Sequence, residues 1–349
     1  MASKSAYEKP TEPSFRLEAG STPFPGYELV RLCGRGGYAE VWESTSPDGT
    51  RVALKFMSTQ QTTATARELR ALRSLFSLDH PHLLKCSNVW CIPGYIVIGM
   101  ELAEASLLDL FLICTNDLHE PMGASLILRY LFQAAHALDF LNARRHTFDG
   151  RPVGFQHGDI KPNNIMIFGD TAKLADYGLA TPTNGPSTPC HRHGTFDYLA
   201  PEVFRGTLSD SSDQFSLAIT FIVLRVGTFP YPAVIKNPGG SFVREAPNLS
   251  GLTAAEQPIV ARALSPSPQN RYPTCAEFIR ALAQANYVVG MPEVAAIPVP
   301  NTSLSRLAGP VSGNGSQSKL ASSAGPVSRL SGLVSALGIS RQAPPRPPC

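Results

Sequence analysis

His157-Gly158-Asp159-Ile160-Lys161-Pro162-Asn163-Asn164 is the stretch on which the reading of this chain turns. Its residue types stand at the spacing that phosphoryl transfer needs. The aspartate can align a hydroxyl nucleophile and accept its proton. A lysine two residues later can neutralise charge growing on the moving phosphoryl group, and an asparagine five residues after the aspartate can ligate Mg²⁺. Twelve residues beyond Asn164 stands Asp176-Tyr177-Gly178, whose carboxylate suits a metal held against nucleotide phosphates. Four fixed positions (His157, Asp159, Lys161, Asn164) would match by chance in roughly a few chains per thousand of this length. The companions of the stretch therefore carry weight.

Upstream, Gly34-Arg35-Gly36-Gly37-Tyr38-Ala39-Glu40-Val41 lies between two strand-like segments. Glycines there let backbone N–H groups close over phosphates with no side chain in the way. Val52-Ala53-Leu54-Lys55 follows, with its lysine in a strand pattern. Downstream, Gly194-Thr195-Phe196-Asp197-Tyr198-Leu199-Ala200-Pro201-Glu202 closes the set. With these motifs, residues 26 to 284 resemble the eukaryotic-like (Hanks-type) Ser/Thr protein kinase family. The chain looks like a bacterial member, with Gly158 where many kinases carry an arginine.

The resemblance implies a role for each matching position. Asp159 and Lys161 act on the acceptor and the moving phosphoryl group. Lys55 grips the α- and β-phosphates and is held by Glu68, although Thr65-Ala66-Arg67-Glu68 also reads locally as a capping box. Gly34, Gly36 and Gly37 cover the phosphates, with Ala39 replacing the family's third glycine. Val41 and Ala53 lie over the adenine and Met166 beneath it. Met100 limits the back pocket, and the backbones of Glu101 and Ala103 bond the adenine edge. Asn164 and Asp176 hold the metal. Thr195 ties the substrate platform to Asp159 and Lys161. His157 is a core imidazole against Tyr177, which stands where phenylalanine is usual and whose hydroxyl needs a partner. Glu202 pairs with Arg271, and Asp213 anchors the catalytic-loop backbone. The implied cofactors are ATP and Mg²⁺, with Mn²⁺ as an alternative.

Composition agrees with an enzyme body. Apolar residues make up 43% of the 349 positions, enough for a sizeable core, and the net charge of +3 argues against nucleic acid as the main partner. That charge is uneven: residues 285–349 hold five Lys/Arg against one Glu. Seven scattered cysteines without C-x-x-C spacing suggest buried thiols rather than a zinc site or disulfides. The most apolar run, Phe215 to Leu224, is short of the ~20 residues that span a bilayer. No signal pattern opens the sequence, and a cytoplasmic protein without a membrane span is the expectation.

Along the chain, residues 1–25 are polar and proline-bearing and read as a disordered leader. Strands are expected over 27–33, 37–45, 50–57, 88–92 and 95–101, with a helix over 63–77. This predicts an α+β bilobal protein-kinase fold. A small lobe (26–102) of five antiparallel strands and one helix precedes a larger, mainly helical lobe (103–284). Helices are expected over 125–143, 215–226, 254–264 and 274–286, and a short strand pair over 165–168 and 171–174. Residues 285–349 read as a low-complexity Pro/Ser/Ala/Gly-rich tail. Catalysis is expected in the cleft between lobes.

The function that follows is transfer of the ATP γ-phosphoryl group to Ser/Thr hydroxyls of proteins. The chain's own tail is one candidate acceptor, with Ser305 and Ser328 each beside an arginine. Lys161 and Thr195 favour Ser/Thr over tyrosine, because tyrosine kinases carry an arginine-and-alanine arrangement in that loop. The alternative is a pseudokinase or ATP-binding signalling scaffold. Its usual signature is loss of Lys55, Asp159, Asn164 or Asp176, all of which are present.

Overall fold

The computed structural model describes residues 16–36, 39–59, 78–148, 150–190, 194–232 and 244–287. The expected helix over 63–77, with Glu68, lies outside the described residues, as do Gly37, residues 1–15 and the tail beyond 287.

The small lobe is built on five strands: β1 (Glu28–Arg35), β2 (Ala39–Thr45), β3 (Arg51–Ser58), β4 (Cys86–Ile92) and β5 (Tyr95–Glu101). They form an antiparallel sheet in the order β1-β2-β3-β5-β4. Period-two alternation divides their side chains between two faces. Leu54 and Phe56 of β3 join Leu29, Trp42 and Val97 in one cluster. Met57 joins Ile98, with Met100 packed against them, in another. Lys55, between Leu54 and Phe56, therefore takes the Met57 face.

The first face corrects an expectation. Residues 16–25 are not a loose leader. Leu29 and Ser21 are joined by a backbone bond of 2.9 Å, and Gly20 donates to the Leu29 carbonyl at 2.7 Å. Leu17 and Phe24 pack on the Leu54 cluster. Phe24, Tyr27 and Trp90 pack mutually in tilted and edge-on geometry with ring centroids 4.8–5.1 Å apart, contacts worth ~0.5–1.5 kcal/mol each beyond burial. The composition is polar, but two apolar side chains suffice to cover a sheet face that would otherwise meet water.

The large lobe packs around α4 (Ser212–Val226), which is buried on all sides through Leu224, as a helix apolar all round must be. Gly227, at φ 82°, ends it in the left-handed conformation that glycine takes without strain. Before it come α1 (Leu107–Leu112), α2 (Ala124–Asn142) and the single turn α3 (Pro201–Phe204). After it come α5 (Glu256–Ala263) and α6 (Cys275–Ala285). Asp139 on α2 accepts from the first amides of α6, Cys275 N at 2.8 Å and Ala276 N at 2.9 Å, and so caps that helix from a distance. Because α6 runs to Ala285 and Asn286 still bonds the Leu282 carbonyl, ordered structure passes the expected boundary at 284.

Small sheets line the top of this lobe. β6 (Ala105–Ser106), β9 (Ile165–Phe168) and β10 (Thr171–Leu174) pair in the order β10-β9-β6. β7 (His146–Phe148), β8 (Arg151–Gln156) and β11 (Thr181–Thr183) pair as β11-β8-β7, and β12 (Thr188–Pro189) meets β13 (Thr207–Leu208). The lobes are stitched together by residues 82–84: the Leu174 amide donates to the His82 carbonyl at 2.9 Å, and the Leu84 amide to the Leu174 carbonyl at 2.8 Å.

His80 in that connection is buried against Phe140 and His82, with ring centroids at 4.8 and 5.6 Å. Burial, then the neighbouring His82, His136 and Arg145, lower its pKa from 6.5 to about 4. The folded state thus prefers the neutral ring. Protonation of the unfolded chain begins near 6.5, so stability falls as pH drops from there toward about 4. A urea midpoint that declines between about pH 7 and about pH 5, with a flatter decline in His80→Phe, is the expected result. An unchanged slope in the variant would count against it.

Candidate active site

The catalytic loop is shaped by its backbone bonds. After β8, the amides of His157 and Gly158 donate to the Asp213 carboxylate of α4 at 2.6 and 2.9 Å. The His157 ring is fully buried, 3.0 Å from the Ala175 carbonyl and 5.6 Å centroid to centroid from Tyr177. It is part of the scaffold. Gly158 sits at φ +80°, and a Cβ there would approach the Leu179 carbonyl to 3.1 Å. Glycine suits this corner on both counts.

These anchors present Asp159. One carboxylate oxygen accepts from the Lys161 ammonium at 2.8 Å and the Asn164 side-chain amide at 2.9 Å. The other accepts from the Thr195 hydroxyl at 2.8 Å and the Thr195 amide at 3.0 Å. Lys161 also donates to Thr195 Oγ1 at 2.7 Å. Burial pushes the Asp159 pKa up. Lys161 and Thr195 more than offset it, so the carboxyl lies below its ordinary value and is ionised at neutral pH. Such a group orients a hydroxyl and can take its proton late.

Asp176 is brought to the same loop by its neighbour Ala175. The Ala175 amide bonds the Asn164 carbonyl at 2.9 Å, which brings the chain before Asp176 alongside Asn164. Asp176 itself is left-handed at φ 64°, a conformation rare outside glycine and common at functional sites. Its carboxylate meets Lys55 Nζ at 3.0 Å. Burial raises its pKa, and the stronger effect of Lys55 lowers it below the ordinary range. Asn164 spends its amide nitrogen on Asp159, which leaves its side-chain carbonyl oxygen as the ligand atom for a cation. Asn164 and Asp176 thus offer hard oxygen donors, the set that Mg²⁺ or Mn²⁺ takes together with phosphates. Among the described residues, no three or more His, Cys, Asp or Glu cluster into a metal site by themselves. A cation here would depend on oxygens from a nucleotide.

The residues that the resemblance assigns to a nucleotide come from both lobes. Gly34, in β1 opposite Val41, and Gly36, just past β1, stand at the end of that strand, where the Gly36 amide bonds the Ala39 carbonyl at 2.8 Å and Arg35 pairs with Glu40 at 3.0 Å. Val41 is paired with Lys55 in register, and Ala53 with Met100. Glu101 ends β5. Its carboxylate accepts from Lys173 at 2.5 Å and from the Lys85 amide at 2.9 Å, its own amide donates to the Lys85 carbonyl at 3.4 Å, and Ala103 follows two residues on. Met166 on β9 pairs with Ser106 just past that link. The structure therefore gathers Lys55, Asp159, Lys161, Asn164, Asp176 and Thr195 into one linked set beside the strands that carry Val41, Ala53 and Met100. The Tyr177 hydroxyl, without a partner in the sequence reading, donates to the Leu174 carbonyl at 2.6 Å. Lys173 and Asp139 were missed. Neither stands in a motif, and only the folded neighbours give them roles.

The family description Protein kinase domain matches residues 27–287. The chain is 29% identical over 303 residues to the serine/threonine-protein kinase PknE of Mycobacterium tuberculosis, covering 80% of this chain and 51% of that protein. It is 29% identical over 298 residues to PknF of the same species, covering 79% and 60%. It is likewise 29% identical over 277 residues to PknH of Mycobacterium bovis, covering 75% and 44%. The chain spans about half the length of the curated relatives it matches.

Proposed function

Because the chain belongs to the protein kinase domain family, we propose that it is a serine/threonine protein kinase that transfers the ATP γ-phosphoryl group to proteins. The observation that supports this most is the closed set of bonds around Asp159, with Lys161, Asn164 and Thr195 all on its carboxylate. In this reading Lys55 holds the α- and β-phosphates, with Gly34 and Gly36 over them. Val41, Ala53, Met100 and Met166 enclose the adenine, and the Glu101 and Ala103 backbones bond its edge. Asn164 and Asp176 hold Mg²⁺, which would draw charge from the phosphate oxygens.

Asp159 orients the acceptor hydroxyl. As the new O–P bond forms and the bond from the γ-phosphorus to the bridging oxygen breaks, Asp159 takes the acceptor proton and ADP leaves. Lys161 neutralises charge on the phosphoryl group. Glu68 remains the proposed partner that steadies Lys55, from outside the described residues. Among the described residues, no helix is long and apolar enough to cross a membrane. Transfer of labelled phosphate from ATP to a generic peptide panel, followed by phosphoamino-acid analysis, tests the reading. Phosphoserine and phosphothreonine are expected, and predominant phosphotyrosine would refute the acceptor class.

Activity is expected without phosphorylation of the activation segment. A phosphate there commonly compensates an arginine beside the catalytic aspartate. Here that position is Gly158. The segment is instead held by strand pairing, β11 on β8 and β12 on β13, and by the Cys190 amide on the Gly206 carbonyl at 2.9 Å. The Thr183 hydroxyl is buried within β11. His191, Arg192 and His193, a substitute phosphate dock on the sequence, lie outside the described residues. Full dephosphorylation, or alanine at Thr183, Ser187 and Thr188, should leave initial rates within about tenfold. A fall of a hundredfold (~2.7 kcal/mol in barrier), restored by phosphorylation, would overturn this.

A further inference from the structure

Immediately after Thr195, the turn Phe196–Tyr198 and Leu199 carry the chain away from Asp159. The four backbone carbonyls of this stretch are all tied down by side chains of other elements. Arg244 Nη2 reaches three of them: Phe196 O at 2.8 Å, Asp197 O at 3.1 Å and Leu199 O at 2.9 Å. The fourth, Tyr198 O, accepts from Ser216 Oγ of α4 at 2.8 Å. One nitrogen with two hydrogens serves three acceptors, so these bonds are shared. The cation meets the negative ends of three carbonyl dipoles at once, a charge-assisted arrangement stronger than neutral pairing.

The guanidinium is itself held in place. Its carbon lies 4.5 Å from the centre of the Tyr231 ring, 5.4 Å from Phe204 and 5.8 Å from Phe215. Tyr231 and Phe215 are stacked, 10° from parallel. On Phe215 also rests Arg271, at 5.0 Å, the arginine paired with Glu202. Two cations, Arg271 buried and Arg244 half-buried, therefore share one aromatic ring of α4. One fixes the Ala-Pro-Glu end of the activation segment, and the other fixes the turn before it.

We propose that Arg244 is a positioning residue that fixes the turn Phe196–Leu199 from beneath and thereby sets the docking of the protein acceptor beside Asp159. The inference rests on the kinase reading for its functional half. The Phe196 side chain is 49% exposed, while its carbonyl points inward to Arg244. An acceptor whose hydroxyl reaches Asp159 must lay its neighbouring residues across this turn. Thr195 joins the turn directly to Asp159 through two hydrogen bonds. Release of the carbonyls would let the platform shift while leaving Lys55, Asn164 and Asp176, and hence nucleotide binding, in place.

The test is Arg244→Gln in the full chain, read two ways. Amide exchange at Tyr198 and Leu199 should quicken about tenfold or more, with α2 and α4 unchanged. The KM for an acceptor peptide should rise about tenfold, while the KM for ATP and peptide-independent ATP hydrolysis hold. Arg244→Lys, with its charge but no planar fork, should recover part of both. A general loss of stability would instead quicken exchange throughout and lower kcat without the split. Should Arg244→Gln fail to fold, Tyr231→Leu removes one ring beneath the guanidinium and keeps every donor; the same two shifts, smaller, are expected. Unchanged exchange at Tyr198 and Leu199 overturns the inference in either variant. If the wild-type protein transfers no phosphate to peptide, the kinase reading fails, and the exchange comparison still decides whether Arg244 holds the turn.

Discussion

Asp159→Asn is expected to keep nucleotide binding and lose phosphoryl transfer by about a thousandfold or more, ~4 kcal/mol of barrier. Its carboxylate is the meeting point of Lys161, Asn164 and Thr195, and the amide cannot accept a proton. It also puts an NH₂ group against those donors. Asp176→Asn should fail differently. Asp176 offers its carboxylate beside Lys55 at 3.0 Å, and loss of its charge should abolish the Mg²⁺ dependence of ATP binding together with activity. Titration of a fluorescent ATP analogue with and without Mg²⁺, beside transfer assays, separates the two. Transfer undiminished in both variants would remove the assigned site.

The second large effect is on stability. Glu202 and Arg271 form a bidentate pair at 2.7 and 2.8 Å, and both are almost fully buried. Ser209 and Ser212 hydroxyls also donate to Glu202, at 2.8 and 2.9 Å. Removing one partner strands a buried charge, so Arg271→Met is expected to cost about 3–5 kcal/mol. That is a large share of the roughly 5–15 kcal/mol that holds a domain folded. The double variant Glu202→Leu/Arg271→Met should lie closer to wild type than the single change, because no charge is left unpaired. Urea midpoints of the three proteins decide it; a single change costing under about 1 kcal/mol would show the pair to be dispensable. Burial raises the Glu202 pKa and Arg271 more than reverses that, so it lies below the ordinary 4.5. The contribution is therefore full above about 4.5 and is lost as pH falls through the depressed folded value.

Much of this was legible because the chemistry is local in sequence. Asp159, Lys161 and Asn164 lie within six residues, and their side chains converge because Asp213 holds the loop that bears them. Lys55 was legible as a strand lysine, and alternation in β3 sets it on the face opposite Leu54 and Phe56. The strand pair β9–β10 falls on the expected residues, since Gly169-Asp170 leaves the chain no other short turn there. Polar composition misled at residues 16–25, where what matters is two apolar side chains meeting an uncovered sheet face.

By itself the sequence determined the family and the two-lobed division, and it is the source of the proposed phosphoryl-transfer set, because each is encoded by residue type at fixed short spacing. Tertiary structure alone decided what those residues lean on. Asp139 reaches α6 across 136 positions, and Lys173 reaches Glu101 across 72. Tyr177 spends its hydroxyl on a backbone carbonyl, and Arg244 gathers three carbonyls some 45 residues away. Backbone acceptors carry no side-chain signature, and contacts between distant segments have no spacing to read. Only the packing that brings them together gives such residues their roles.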